Sequence, residues 1–205
     1  MNLNKNSIEG RVITIKVSYK KTTPPIADNS GIPIMLNDET IEERRDKVLT
    51  LMKEKGISSL VVYADKEHGG NFEYLVGFIP RFEEGLLILN VDGTSTLVLG
   101  DENFNKVKYS RIPSEGKKCS LFSLPNQPMG NLEELDQVLK EIEFDTSGLI
   151  GIAGWKLIPE MEKQFDIPQF IVNALITLLG EDKLVNATGI FIDPSYGARI
   201  TNNAN

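Results

Sequence analysis

The sequence predicts a layered α/β domain in which helices cover both faces of a mixed β-sheet. Short apolar runs alternate along the chain with amphipathic stretches of helical period, which is the pattern of such layers. The dipeptide Asp92-Gly93 joins two apolar runs as a tight hairpin, so at least one pair of strands must be antiparallel. The 205 residues suffice for one sizeable core, or for one domain with an added arm.

The stretch from Thr40 to Leu99 gives the clearest element order. A capping-box pattern at Thr40–Glu43 predicts a helix start there, and Gly56 is a natural stop. Strands follow at 57–64, 86–89 and 97–99, separated by a polar loop at 65–81 with room for one helical turn.

The remaining elements are predicted from the same signals of periodicity and turn residues. Helices are expected at 101–109, 132–142, 155–165 and 168–179, strands at 119–124, 149–153 and 187–192, and a loop at 113–118. Residues 1–37 read as an arm, because the alternating run Val12–Ser18 predicts a strand and the prolines after it prevent regular structure.

One set of spacings resembles a known family. A helix with Arg44, Val48 and Leu51-Met52 leads to Gly56-Ile57 and a buried strand, then to Tyr74-Leu75-Val76-Gly77-Phe78 and the Asp92-Gly93 hairpin. This order resembles the amino-terminal domain of the creatinase, prolidase and aminopeptidase P family, and Tyr-Leu-x-Gly-Phe is its most specific part. The resemblance implies a three-layer α/β/α domain with a ribonuclease H-like motif over residues 38–200, with 201–205 starting a linker.

The resemblance also implies a role. In this family the amino-terminal domain is non-catalytic, and a following domain carries two divalent metal ions and cleaves Xaa-Pro peptides or acts as an amidinohydrolase on a small molecule. We therefore expect a fragment of a longer Xaa-Pro peptidase-like hydrolase that forms a homodimer and shapes the active-site entrance. The alternative is a free-standing α/β ligand-binding or protein-interaction module without a peptidase domain.

The residue inventory assigns no catalytic residue and no metal ligand to this chain. It holds a single histidine, His68, and no His-x-x-His, Cys-x-x-Cys or His-Glu-x-x-His spacing. The series Gly148-x-x-Gly151-x-x-Gly154 has the wrong first interval for a dinucleotide fingerprint.

The polar loop is the candidate binding site. It places His68, Asn71 and Arg81 after a buried strand, where sites form in open α/β sheets. We expect these three residues to contact a substrate held by the catalytic domain, with Arg81 gripping a carboxylate. The competing interpretation is a solvated loop in which Arg81 pairs with Glu83 or Glu84.

The net charge and the cysteine content limit the expected partners and the expected cellular compartment. A net charge of −7 argues against nucleic acid or an anionic membrane as partner. The lone Cys119 has no internal disulfide partner, so we expect a reduced thiol in the cytoplasm. The longest apolar segment, near 170–179, is too short to span a bilayer.

Overall fold

The computed structural model of the protein describes residues 7–8, 11–12, 18–21, 23, 36–124, 133–158 and 163–200. The chain divides into two compact units, Met1–Met35 and Leu36–Asn205. In the first unit, β1 (Ser7–Ile8) and β2 (Arg11–Val12) pair antiparallel. Most of the strand expected at 12–18 lies outside the described residues.

The second unit carries the α/β domain, and its elements alternate between strands and helices. In chain order they are α1 (Asp38–Glu54), β3 (Ile57–Ala64), α2 (Gly70–Val76), β4 (Gly85–Asn90), β5 (Ser95–Leu99), β6 (Glu115–Lys118), α3 (Leu135–Lys140), β7 (Leu149–Ala153), α4 (Gln169–Leu179), β8 (Leu184–Asn186) and α5 (Gly189–Ile192). Short 3₁₀ turns lie at Phe104–Tyr109, Ser120–Phe122 and Glu181–Lys183.

The six strands form one mixed sheet in the order β6-β5-β4-β3-β7-β8. β4 runs antiparallel to both of its neighbours, and every other adjacent pair is parallel. Five strands therefore share one direction, and their carboxyl ends lie at one edge of the sheet. This confirms the predicted mixed sheet, with the Asp92-Gly93 hairpin between β4 and β5 as its cause.

Helices cover both faces of the sheet. One face packs against α1, α2 and α5, and the other against α3 and α4, with two separate apolar clusters between the layers. The largest fully buried side chains include Phe72, Phe191 and Met52 in the first cluster and Phe122 in the second. β3 lies at the centre and is buried at all eight residues, which matches its uninterrupted apolar run.

Helix α1 begins earlier than the capping-box pattern indicates. Asn37 is the N-cap, and its Oδ1 accepts a hydrogen bond from the Thr40 backbone N–H at 2.9 Å. Thr40 is therefore inside the helix, and the assignment of Thr40 as its cap is wrong. Asparagine is as good a cap as threonine or better, so the earlier position is the favoured one.

Two short strands differ from their predicted places. The segment 119–124 contains a 3₁₀ turn, while the preceding residues, predicted as loop, form β6. Likewise, 187–192 holds α5, and the strand β8 comes before it. In both places apolar residues are buried at the sheet margin without being in strands. The edge strand Glu115–Lys118 was missed because it has no apolar run.

Two predicted helices are also different. The stretch 101–109 forms a 3₁₀ turn that begins at Phe104, and neither 155–158 nor 163–165 is helical. The polar loop, by contrast, holds more helix than expected, because α2 makes two turns and ends at Gly77 in the left-handed conformation (φ +85°).

Candidate functional site

The candidate site lies at the edge of the sheet where the parallel strands end. β3 and β7 are adjacent and parallel, so the loop that follows Ala64 and the loop that follows Ala153 meet there. The first loop carries Asp65 and His68, and the second carries Trp155. The turn that leads into β4 approaches the same edge with Arg81 and Phe82, because β4 runs in the opposite direction.

His68 is fixed in place by two contacts. Its Nδ1 lies 2.9 Å from Asp65 Oδ2, and its ring stacks on the Trp155 ring with centroids 4.0 Å apart and planes 29° apart. The His68 side chain is still 36% exposed. Among the described residues, no group forms a hydrogen bond with the second ring nitrogen, Nε2.

Asp65 organises the loop around this histidine. Its Oδ1 accepts from the backbone N–H groups of Glu67 (2.8 Å) and His68 (2.7 Å), and its Oδ2 accepts from the Tyr63 hydroxyl at 3.1 Å. Burial alone would raise the pKa of Asp65, but the hydrogen bonds from His68, Tyr63 and Glu67 lower it below its ordinary value. Asp65 is therefore ionised at neutral pH and can only accept.

The ionised state of Asp65 determines where the protons of His68 and Tyr63 lie. Because the Asp65 carboxylate has no proton to give, the His68 Nδ1 must donate, and the Nε2 of a neutral ring then presents a lone pair. Burial, followed by the negative charge and hydrogen bond of Asp65, raises the pKa of Tyr63, which stays a neutral phenol. The arrangement can accept a hydrogen bond from a ligand at His68 Nε2.

Hydrogen bonds of the loop that follows β7 hold Trp155 in place. Its backbone N–H donates to Asp166 Oδ2 at 2.6 Å, and the preceding Gly154 N–H donates to Thr188 Oγ1 at 3.0 Å. A Cβ atom on Gly154 would lie only 2.1 Å from Asp166 Oδ1, so this approach requires glycine. The loop geometry thus sets the position of the indole ring beneath His68.

Asn71 is buried beneath the surface of the candidate site. It is 2% exposed; its Nδ2 donates to the Gly154 carbonyl at 2.7 Å, and its Oδ1 accepts from Arg199 Nη1 at 2.8 Å. Both ends of its amide are engaged, so Asn71 connects α2 to the β7 loop and to the segment after α5. Asn71 therefore holds these segments in position and does not itself face solvent.

Arg81 lies on the turn before β4, next to an aromatic side chain. Its Cζ is 4.7 Å from the centroid of the Phe82 ring, which Lys66 Nζ also approaches at 5.9 Å. Phe82 is 51% exposed and has φ +67°, a conformation rare for a bulky residue. Arg81 forms no ion pair among the described residues.

The buried Glu83 anchors that turn. Glu83 is 3% exposed and accepts from the backbone N–H groups of Glu102 (2.9 Å) and Asn103 (3.1 Å), and from Asn103 Nδ2 (2.6 Å). Asn103 in turn accepts from the Arg81 backbone N–H and donates to its carbonyl, each at 2.9 Å. Glu83 is thus committed and is not a partner for Arg81.

The structure therefore brings two of the three predicted residues, His68 and Arg81, to one edge, with Asn71 behind them. The sequence alone did not assign Asp65, Trp155 or Phe82 to the site. A signal existed for two of these: Asp65 and Trp155 each follow closely on an apolar run, at strand ends that a parallel sheet places side by side.

Two grooves lie at the opposite edge of the sheet, with volumes of about 770 and 520 Å³. They share Asn90, Asp92, Thr94 and Glu143 in their linings.

Within the described ranges, no group of three or more His, Cys, Asp or Glu side chains could hold a metal ion. Cys119 is fully buried, and burial raises the pKa of its thiol.

No family model matches the sequence, and no curated protein matches it. Solved structures do. The Pyrococcus horikoshii prolidase matches 69% of this chain at 17% identity with a TM-score of 0.44, and this chain covers 31% of it. A Streptococcus pyogenes Xaa-Pro aminopeptidase chain matches 75% at 16% identity (TM-score 0.47), and 95% of it is covered.

A creatinase/prolidase-like N-terminal domain from Corynebacterium diphtheriae matches 73% of the chain at 16% identity with a TM-score of 0.45, and 96% of it is covered. The chain thus spans about a third of the prolidase but nearly all of the two shorter structures. These similarities concern the fold alone. Among the described residues, no helix is long and apolar enough to cross a membrane.

Proposed function

We propose that this chain is the non-catalytic amino-terminal domain of an Xaa-Pro dipeptidase- or aminopeptidase-like metallohydrolase, and that it contributes to dimerisation and to the active-site entrance. The observation that carries the proposal is the course of the segment after α5. Arg199 bonds to Asn71, and the Ala198 carbonyl accepts from the Tyr74 hydroxyl at 2.7 Å and from Lys47 Nζ at 3.2 Å.

These contacts direct the chain past the candidate site. Asn71 is the second residue of α2, which begins just after the His68 loop. A domain that follows residue 200 would therefore begin beside that loop. Tyr74 comes from the Tyr-Leu-x-Gly-Phe element, so the motif that carries the sequence resemblance is also the one that docks this segment.

In this proposal the two divalent metal ions belong to the following catalytic domain. The residues of this chain do not fit such a site, since its only histidine is bound to Asp65 and stacked on Trp155. The chain would contribute binding groups instead: the Nε2 of His68 and the guanidinium of Arg81 toward a peptide or other small substrate, with Trp155 as an apolar floor. The single buried Cys119 fits a reducing, cytoplasmic compartment.

The proposal is tested by intact-mass measurement of the natural gene product together with peptidase assays. The expected result is a chain longer than 205 residues that cleaves an Xaa-Pro dipeptide in the presence of Mn²⁺, Zn²⁺ or Co²⁺. The 205-residue chain alone is expected to show no turnover and no stoichiometric metal uptake in calorimetry. A natural product of this length would favour a free-standing binding module, and tight binding of two metal ions per chain would overturn the assignment.

A further inference from the structure

In the described part of the chain, the outer edge of β6 has no strand partner. Within the described part of the chain, β6 pairs only with β5, in parallel register from Glu115 to Lys118. The Cys119 N–H donates to the Leu99 carbonyl at 2.9 Å, which fixes the alternation of the ladder. By that alternation Glu115 and Lys117 direct their backbone groups at β5, and Gly116 and Lys118 direct theirs outward.

The side chains of β6 alternate as well. Glu115 and Lys117 share one face, on which Lys117 forms an ion pair with Glu141 and both line the larger groove. On the other face, a Cβ on Gly116 would lie 2.9 Å from the Val107 side chain. Glycine at this position therefore allows the 3₁₀ turn to lie close to the strand, and it leaves the middle of the edge without a side chain.

This strand is complementary to itself in one register. If two copies of β6 pair antiparallel about a two-fold axis at Gly116, the two Gly116 residues exchange both of their outward N–H···O bonds. Glu115 of each copy then lies directly opposite Lys117 of the other, on the same face, so two opposite-charge pairs form by symmetry. Centring the axis on Lys117 or Lys118 would instead place like charges opposite each other.

We propose that the outer edge of β6 binds the β6 edge of a second copy of this chain, antiparallel and centred on Gly116, and joins the two six-stranded sheets into one. The inference rests on the dimerisation part of the proposed function and names its interface. Because the two-fold axis reverses the strand direction, the His68 edges of the two copies point to opposite ends of the joined sheet. Both candidate sites stay open.

Charge reversal tests the register. Sedimentation equilibrium of the full 205-residue chain at low salt is expected to show that Glu115→Lys and Lys117→Glu each raise the dimer dissociation constant at least about tenfold, since each creates two like-charge contacts. The double variant, which exchanges the two charges, is expected to restore association to within about threefold of the original chain. Glu54→Lys, the same charge change on the exposed end of α1, is the matched control and should have no effect.

A cross-link tests the geometry directly. In the proposed register the variant Glu115→Cys/Lys117→Cys places each new thiol opposite one in the second copy, so mild oxidation is expected to give a covalent dimer. Glu115→Cys alone faces a lysine and should stay uncross-linked, since Cys119 is fully buried. A monomeric chain, or a dimer that neither responds to the charge variants nor cross-links, overturns the β6 interface. A dimer that ignores these variants would contradict the β6 interface but not dimerisation itself. Neither a monomer nor such a dimer would change the result expected from the mass and peptidase tests.

Discussion

Replacing the buried Glu83 with glutamine should destabilise the domain. Glu83 accepts hydrogen bonds from two backbone N–H groups and from the Asn103 amide, and it is 3% exposed. Glutamine keeps the shape but removes the charge and turns one acceptor into an NH₂ group. One buried donor must then face another donor.

The magnitude follows from these three bonds. Leaving one buried donor unpaired costs about 1–3 kcal/mol, and the other bonds fall from charge-assisted to neutral strength, for about 1 kcal/mol more. We expect a loss of about 3 kcal/mol in the free energy of unfolding. For a domain of this size that corresponds to a melting temperature lower by roughly 6–12 °C.

The neighbouring Glu84 is the matched control. Burial, opposed by a backbone hydrogen bond and reinforced by the charges of Asp65 and Glu83, raises the pKa of Glu84 above its ordinary value. Its ionised form is therefore disfavoured in the folded state, so Glu84→Gln should be neutral or stabilising at pH 7. That advantage should shrink as the pH falls through the raised folded-state pKa of Glu84, and it should be absent below about pH 4.3, where the carboxyl is protonated in the unfolded chain as well.

Urea denaturation followed by circular dichroism measures both variants on the same chain. A Glu83→Gln variant within 0.5 kcal/mol of the original protein would refute the reasoning, because a surface substitution costs about that much. In that case Glu83 would be solvated, and the turn that carries Arg81 would have another anchor. Equal losses for the two variants would also contradict it.

Three further outcomes are expected. Because the folded-state pKa of Asp65 is depressed, its contribution to stability is present above about pH 4 and is lost as the pH falls through the folded value. The difference in stability between the protein and Asp65→Asn, measured by urea titration, should therefore shrink as the pH falls below about 4. Gly154→Ala should cost at least about 1–3 kcal/mol and shift the emission of Trp155, the only tryptophan, since its Cβ would lie 2.1 Å from Asp166 Oδ1; an unchanged spectrum would count against this packing. If the chain belongs to the proposed peptidase and Arg81 contacts its substrate, Arg81→Ala in that enzyme should raise KM with kcat unchanged in steady-state kinetics, because only a ground-state contact is lost. An unchanged KM would show that Arg81 does not contact the substrate.

Much of the fold could be predicted from local signals. The limits of β3 and β7 were predicted to the residue, and α4 to within one, because each is a buried apolar run or a periodic stretch closed by glycine. The edge strand β6 could not be found this way. Its sequence Glu-Gly-Lys-Lys carries no apolar pattern, and it is a strand only because β5 offers it a partner.

The candidate site, like the fold, could be predicted from the sequence only in part. The composition of the loop after β3 was enough to single out His68 and Arg81, since polar residues with glycines at a strand end favour a site. It could not show that Asn71 is buried with both ends of its amide bonded. That outcome depends on Gly154 and Arg199, which are distant in sequence.

By itself, therefore, the sequence determined the layers, the mixed sheet and the loop that bears the histidine, because hydrophobic period and turn chemistry are local properties. Only the tertiary structure decided what surrounds that histidine. Pairing β3 with β7 brings Trp155, 87 residues further along the chain, onto the His68 ring, and Asp65 then sets which nitrogen holds the proton. Strand order is chosen by burial over the whole sheet, and no local pattern encodes it.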